Sequence, residues 1–130
     1  MPTHTASCST AHLELDPGHV SLAELRTLAQ GGVQLQLKSS AYTAMKAALD
    51  HVQHIVDKDQ VVYGINTGFG KLASTKIAHE RLAELQRNLV LSHSVGTGDP
   101  LPDEVVRLVL ATKAISLARG HSGVRSSLVD

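Results

Sequence analysis

The stretch Val105 to Ala118 constrains the fold of this 130-residue chain more than any other, because ten of its fourteen residues are apolar and spread around a helix rather than along one stripe. Val105, Val106, Leu108, Val109, Leu110, Ala111, Ala114, Ile115, Leu117 and Ala118 leave few positions for water, so this helix is predicted to be enclosed on most sides. Gly96, Gly98, Pro100 and Pro102 break the chain before it, and Asp103 and Glu104 then place negative charge at its positive end. The other helices readable in the sequence are too few to surround it, which predicts partners beyond them.

Those other elements are legible from periodicity. Ser21-Leu22-Ala23-Glu24 has capping-box spacing and opens a helix that should end before Gly31-Gly32. Val33 to Leu37 alternates apolar and polar, the period of a short half-buried strand that should be peripheral, and Leu13 and Leu15 alternate in the same way. From Ser40 the period becomes helical: Met45, Ala48, Leu49, Val52, Ile55 and Val56 share one face. Helix resumes near Ala78, with Leu82, Leu85 and Leu89 as its stripe and His93 on the same side. After Gly120, residues Val124 to Asp130 show no capping or turn logic. The expected organisation is mainly α: a polar leader over 1–12, then residues 13–130 as one incomplete helical domain with short peripheral strands and a glycine-rich loop.

Charge narrows the partners. Lys plus Arg and Asp plus Glu are 12 each, with no like-charge run, which argues against a nucleic-acid or anionic-membrane surface and favours a small, nearly neutral partner. The single cysteine, Cys8, has no second cysteine to pair with, and no segment is apolar enough for a membrane span, so a reducing, cytoplasmic setting is expected.

The segment Tyr63-Gly64-Ile65-Asn66-Thr67-Gly68-Phe69-Gly70 concentrates two of the three aromatics and three glycines in eight residues. It has no helical period, and its glycines allow a loop to wrap closely around a small ligand while presenting the phenol of Tyr63. Gly70-Lys71 has the ending of a P-loop, but five residues separate Gly64 from Gly70 where a P-loop has four, and Leu72 stands where a magnesium-binding hydroxyl is needed, so nucleotide binding is not expected. On residue chemistry alone, a plain connection with Tyr63 as a half-buried aromatic remains open beside the ligand loop. His51 and His54, at i and i+3, have no further ligand at motif spacing, so no metal is expected. His4, His12, His19, His79 and His121 are expected on the surface or at helix ends.

Tyr63 to Gly70, continued by Lys71-Leu72-Ala73-Ser74-Thr75, resembles the tyrosine loop of the aromatic amino acid ammonia-lyases and aminomutases. A second stretch in the same order, Leu85-Gln86-Arg87-Asn88-Leu89-Val90-Leu91-Ser92-His93-Ser94-Val95-Gly96, resembles the helix that ends at the substrate ring in these enzymes. The Ser92-His93 pair is similar to that of the histidine-selective members, the histidine ammonia-lyases, whereas phenylalanine- and tyrosine-selective members carry other pairs there. The chemistry agrees: an imidazole substrate brings a donor and an acceptor that need partners when buried, and a histidine supplies either. The alternative for His93 is a helix-end histidine that helps to satisfy the last carbonyls.

The resemblance implies non-oxidative deamination of L-histidine to trans-urocanate and ammonia, the first step of histidine degradation, with Tyr63 as the base that takes the β-proton and His93 and Ser92 recognising the ring. It implies Gly64, Gly68 and Gly70 as hinges of a closing loop. It implies a homotetramer and an electrophile, methylidene-imidazolone, formed from an internal Ala-Ser-Gly. That tripeptide is absent here, since Ala6-Ser7 continues to Cys8 and Ala73-Ser74 to Thr75, so the chain is expected to be an N-terminal portion, inactive alone. A phenol acting as base near neutrality needs a positive neighbour or donated hydrogen bonds, for which Lys71 and Arg87 are conceivable. Alternatives are a phenylalanine or tyrosine ammonia-lyase or aminomutase, and a non-catalytic helical interaction module.

Overall fold

The computed structural model describes residues 11–130; Cys8, His4 and most of the expected leader lie outside them. The described residues begin with strand β1 (Ala11–Leu15), helix α1 (Leu22–Gln30) and strand β2 (Val33–Leu37). The strands pair in parallel, from Ala11 opposite Val33 to Leu15 opposite Leu37. Parallel neighbours need a long crossover, and α1 supplies it. Its start is the expected capping box: the Ser21 hydroxyl accepts the Glu24 N–H at 3.2 Å, and the Glu24 carboxylate accepts the Ser21 N–H at 2.7 Å.

Helix α2 (Ser39–Asp57) follows at once, and the face read from the sequence is the one it buries: Met45 and Ile55 are buried and Ala48, Leu49, Val52 and Val56 half-buried. Helix α3 (Leu82–His93) is preceded by a single tight turn, His79–Arg81, and α4 (Asp103–Ala118) completes the helices, with Asp103 and Glu104 in its first turn. None of the described helices is long and apolar enough to cross a membrane.

The core has two parts joined by α4. Leu15, Leu28, Ala111 and Ile115 form one cluster, and Leu37, Ala41, Met45 and Ala118 the other. The last residues of the paired strands, Leu15 and Leu37, therefore each anchor one cluster. Arg107 fastens α4 to α1: its Nε and Nη2 both donate to the carbonyl of Ala29, at 3.0 and 2.7 Å, in the last turn of α1. A cation suits the negative end of a helix dipole.

Helix α4 is covered on one side only. Ala111, Ile115 and Ala118 are buried, whereas Val109 and Leu110 remain 56% and 66% exposed. The enclosure expected for it is thus not provided by residues 11–130, since α1 and α2 flank the same side. The segment after α4, which showed no turn logic in the sequence, does fold: Val124 and Val129 pack on the second cluster around a short turn, Ser126–Leu128. Gly120 makes this approach possible, because its φ is +74° and a Cβ would sit 2.6 Å from the backbone of Ala44.

Candidate functional site

The loop between α2 and α3 is built around two buried polar residues, Asn66 and Thr67, which are 3% and 1% exposed. Buried polar groups need partners, and these have them. The Asn66 side chain accepts the Val62 N–H at 2.9 Å and donates to the Gln60 carbonyl at 2.6 Å, while the Asn66 carbonyl accepts the Ile77 N–H at 2.8 Å. Thr67 pairs antiparallel with Lys76, and Lys76 forms an ion pair with Asp59. Both limbs of the loop are therefore tied together at its base.

Tyr63 lies in the tight turn from Val62 to Asn66, which the Asn66 side chain and main-chain N–H close onto Val62. The residue is 64% exposed, and its ring meets Phe69 edge to face, with centroids 6.0 Å apart and planes at 69°. Gly64, next to it, takes φ +80°, and Gly70 takes +57°. Gly68 differs, because a Cβ there would lie 2.6 Å from that of Leu72 and 2.9 Å from the Leu72 carbonyl oxygen. Close packing, not a positive φ, is what demands glycine at that position. In the sequence Asn66 stands out only as one member of the Tyr63 to Gly70 motif, and its one available signal is a carboxamide amid glycines, a common turn element.

Ser92 and His93 close α3, both exposed. The Ser92 hydroxyl donates to the Leu89 carbonyl at 3.0 Å, and His93 Nδ1 lies 2.8 Å from that same oxygen and 3.0 Å from Ser92 Oγ. A carbonyl oxygen can only accept, so Nδ1 carries the hydrogen, and in the neutral ring Nε2 is left as the acceptor. The helix-end contact anticipated for His93 is thus present, and it orients the ring rather than exhausting it.

The structure brings Ser92 and His93 together but leaves Tyr63 on its own loop. Concavities of about 510 and 540 Å³ occur elsewhere, one beside Arg107 and Tyr42 and one between His51 and His121, and neither is lined by Tyr63, Ser92 or His93. In this chain the three residues occupy open surface. Among the described residues no group of three or more His, Cys, Asp or Glu is placed to share a metal ion, and His51 and His54 are exposed on α2.

Comparison with known proteins gives a consistent family. Residues 20–130 match the family model described as aromatic amino acid lyase. A histidine ammonia-lyase of Paracidovorax citrulli is 73% identical over 118 residues, covering 91% of this chain and 23% of that protein. One from Burkholderia vietnamiensis is 49% identical over the same coverage, so the chain spans under a quarter of the length of these relatives. Among solved structures, ergothionase of Treponema denticola, an ergothioneine-degrading enzyme, superposes with a TM-score of 0.84 at 27% identity, covering 91% of this chain and 24% of that one. The tyrosine aminomutase of Streptomyces globisporus gives 0.84 at 24% identity over 92% of this chain and 23% of its own, a likeness of fold. The model match and the high identity together place the chain: it belongs to the aromatic amino acid lyase family.

Proposed function

We propose that this chain supplies the proton-abstracting tyrosine and the ring-recognising histidine of a histidine ammonia-lyase, which converts L-histidine to trans-urocanate and ammonia. The observation carrying the reading is the set imidazole at the end of α3, with Nδ1 committed to Leu89, which leaves Nε2 as the acceptor of the neutral ring. Neutral His93 then accepts the ring N–H of a substrate imidazole, and Ser92 helps hold His93 in that orientation. A phenylalanine ring offers nothing to that acceptor, which disfavours the phenyl-selective alternatives.

Tyr63 takes the β-proton, and its turn, hinged at Gly64 and Gly70, closes the phenol over substrate and excludes water. Residues 1–130 contain no Ala-Ser-Gly, so the methylidene-imidazolone is not this chain's to form. In a complete enzyme that group would supply the electrophile that makes the amine a leaving group. Binding, orientation and proton removal are the tasks of Tyr63, Ser92 and His93. The resemblance implies a cytoplasmic homotetramer, and the uncovered apolar side of α4 suits association with further subunits or segments.

The test is a chimera in which this chain replaces the matching 118 residues of the Paracidovorax citrulli relative. It should convert L-histidine with rising urocanate absorbance and yield no cinnamate from phenylalanine or coumarate from tyrosine, while the 130-residue chain alone is inert. A folded chimera inactive toward histidine, or one preferring phenylalanine, overturns the reading.

A further inference from the structure

Asn66 spends every polar group it has on the turn that carries Tyr63. Its carboxamide oxygen takes the Val62 N–H and its carboxamide nitrogen gives to the Gln60 carbonyl, which fixes the limb entering the turn. Its main-chain N–H reaches the Val62 carbonyl at 3.3 Å, closing the turn, and its carbonyl takes the Ile77 N–H, fixing the limb that leaves. Tyr63, Gly64 and Ile65 are the three residues held between.

Packing does not set the direction of Tyr63, because its ring is mostly exposed and touches only the edge of Phe69 among the aromatics. A long side chain in that situation points where its backbone points. The backbone here has one freely rotating member, Gly64 at φ +80°, and the clamp from Gln60 to Ile77 removes the remaining slack. Being 3% exposed, the carboxamide makes these bonds away from competing water, where they hold geometry best.

We propose that Asn66 is a positioning residue for the Tyr63 phenol, acting through the turn at Val62 to Asn66 and not by touching substrate. The catalytic half of this inference rests on Tyr63 being the base; the mechanical half does not. The two halves are separable by experiment.

In the chimera described above, Asn66→Ala removes both side-chain bonds, while Asn66→Asp keeps the acceptor for Val62 and loses the donor to Gln60. Hydrogen exchange read by mass spectrometry should show the peptide from Gln60 to Ile77 exchanging at least ~10-fold faster in Asn66→Ala, with peptides from α1 and α4 unchanged. Turnover should fall by about 100-fold, the scale of misplacing a reacting group by about 1 Å, while KM for L-histidine, set at His93, stays within about threefold. Asn66→Asp should fall between wild type and Asn66→Ala in both readouts, and it carries the comparison by itself if the alanine variant does not fold. Unchanged loop exchange together with unchanged kcat overturns the proposal, as does a loss of kcat matched by faster exchange in α1 and α4, which marks a general loss of stability. If loop exchange rises but kcat holds, the positioning role is overturned; if Tyr63→Phe also turns over normally, it is the base assignment that has failed.

Discussion

Nδ1 of His93 lies 2.8 Å from the carbonyl oxygen of Leu89, one helical turn earlier, and this single contact decides what the imidazole can do. It makes the other ring nitrogen, Nε2, an acceptor whenever the ring is neutral. In the chimera, His93→Ala should therefore lower kcat/KM for L-histidine by at least ~100-fold, because a substrate N–H buried without its partner is costly. Ser92→Ala should cost less than ~10-fold, since Leu89 alone still fixes the tautomer. Steady-state kinetics of the two variants, with Ser92→Ala worse than His93→Ala, would reverse these roles.

Replacing Tyr63 with Phe keeps the ring contact to Phe69, at 6.0 Å, and removes only the hydroxyl. Turnover should drop at least ~100-fold, the usual scale for losing a positioned acid or base. Near-normal turnover would take proton abstraction away from this residue.

Much of the frame was legible because local rules and tertiary packing agree. The stripe from Met45 to Val56 and the box at Ser21 are local patterns, and α2 and α1 realise both. Pairing is different in kind. Alternation at Leu13 and Leu15 and at Val33 to Leu37 gives a period, yet nothing in it names the partner strand or the parallel register. Asn66 was hidden for a similar reason, since its bonds to Gln60, Val62 and Ile77 follow from a turn geometry no spacing encodes. The turn at Ser126–Leu128 has no such signal because two valines, Val124 and Val129, set in polar sequence do not make a period, and its order comes from the cluster beneath it.

Acid should act on the start of α1. The hydrogen bonds from the Ser21 hydroxyl and N–H hold the Glu24 carboxyl below its ordinary value of 4.5. A folded-state value lowered in this way contributes stability that is present above the unfolded value and is lost as pH falls through the folded one. Glu24→Gln should leave a chain whose urea midpoint changes less than wild type's when pH drops from about 6 to about 3. Equal acid sensitivity in both would assign the effect to other carboxylates, of which Asp16, held low by the Gly18 N–H and by Lys38, is the first to examine.

Arg107 is the tie between α4 and α1, with two donors on one carbonyl. Arg107→Met keeps most of the stem and loses both bonds, leaving the end of α1 without its cation. Bonds to charged groups contribute roughly 1.5–3 kcal/mol, so urea unfolding should report a loss of that order. A loss below about 0.5 kcal/mol would mean that solvent replaces the guanidinium at no cost.

The exposed side of α4 sets the behaviour of the chain by itself. Val105, Val106, Val109 and Leu110 line it, and Val109 also borders an almost wholly apolar groove shared with Leu22 and Leu25 of α1. Contiguous apolar surface of this kind drives association, so the 130-residue chain should self-associate at micromolar concentration. Leu110→Lys, placed where the side chain is already two-thirds exposed, should raise the monomer fraction in light scattering without lowering helical content. A wild-type chain that stays a monodisperse monomer would show that this side tolerates water, and the need for a covering partner over α4 would disappear with it.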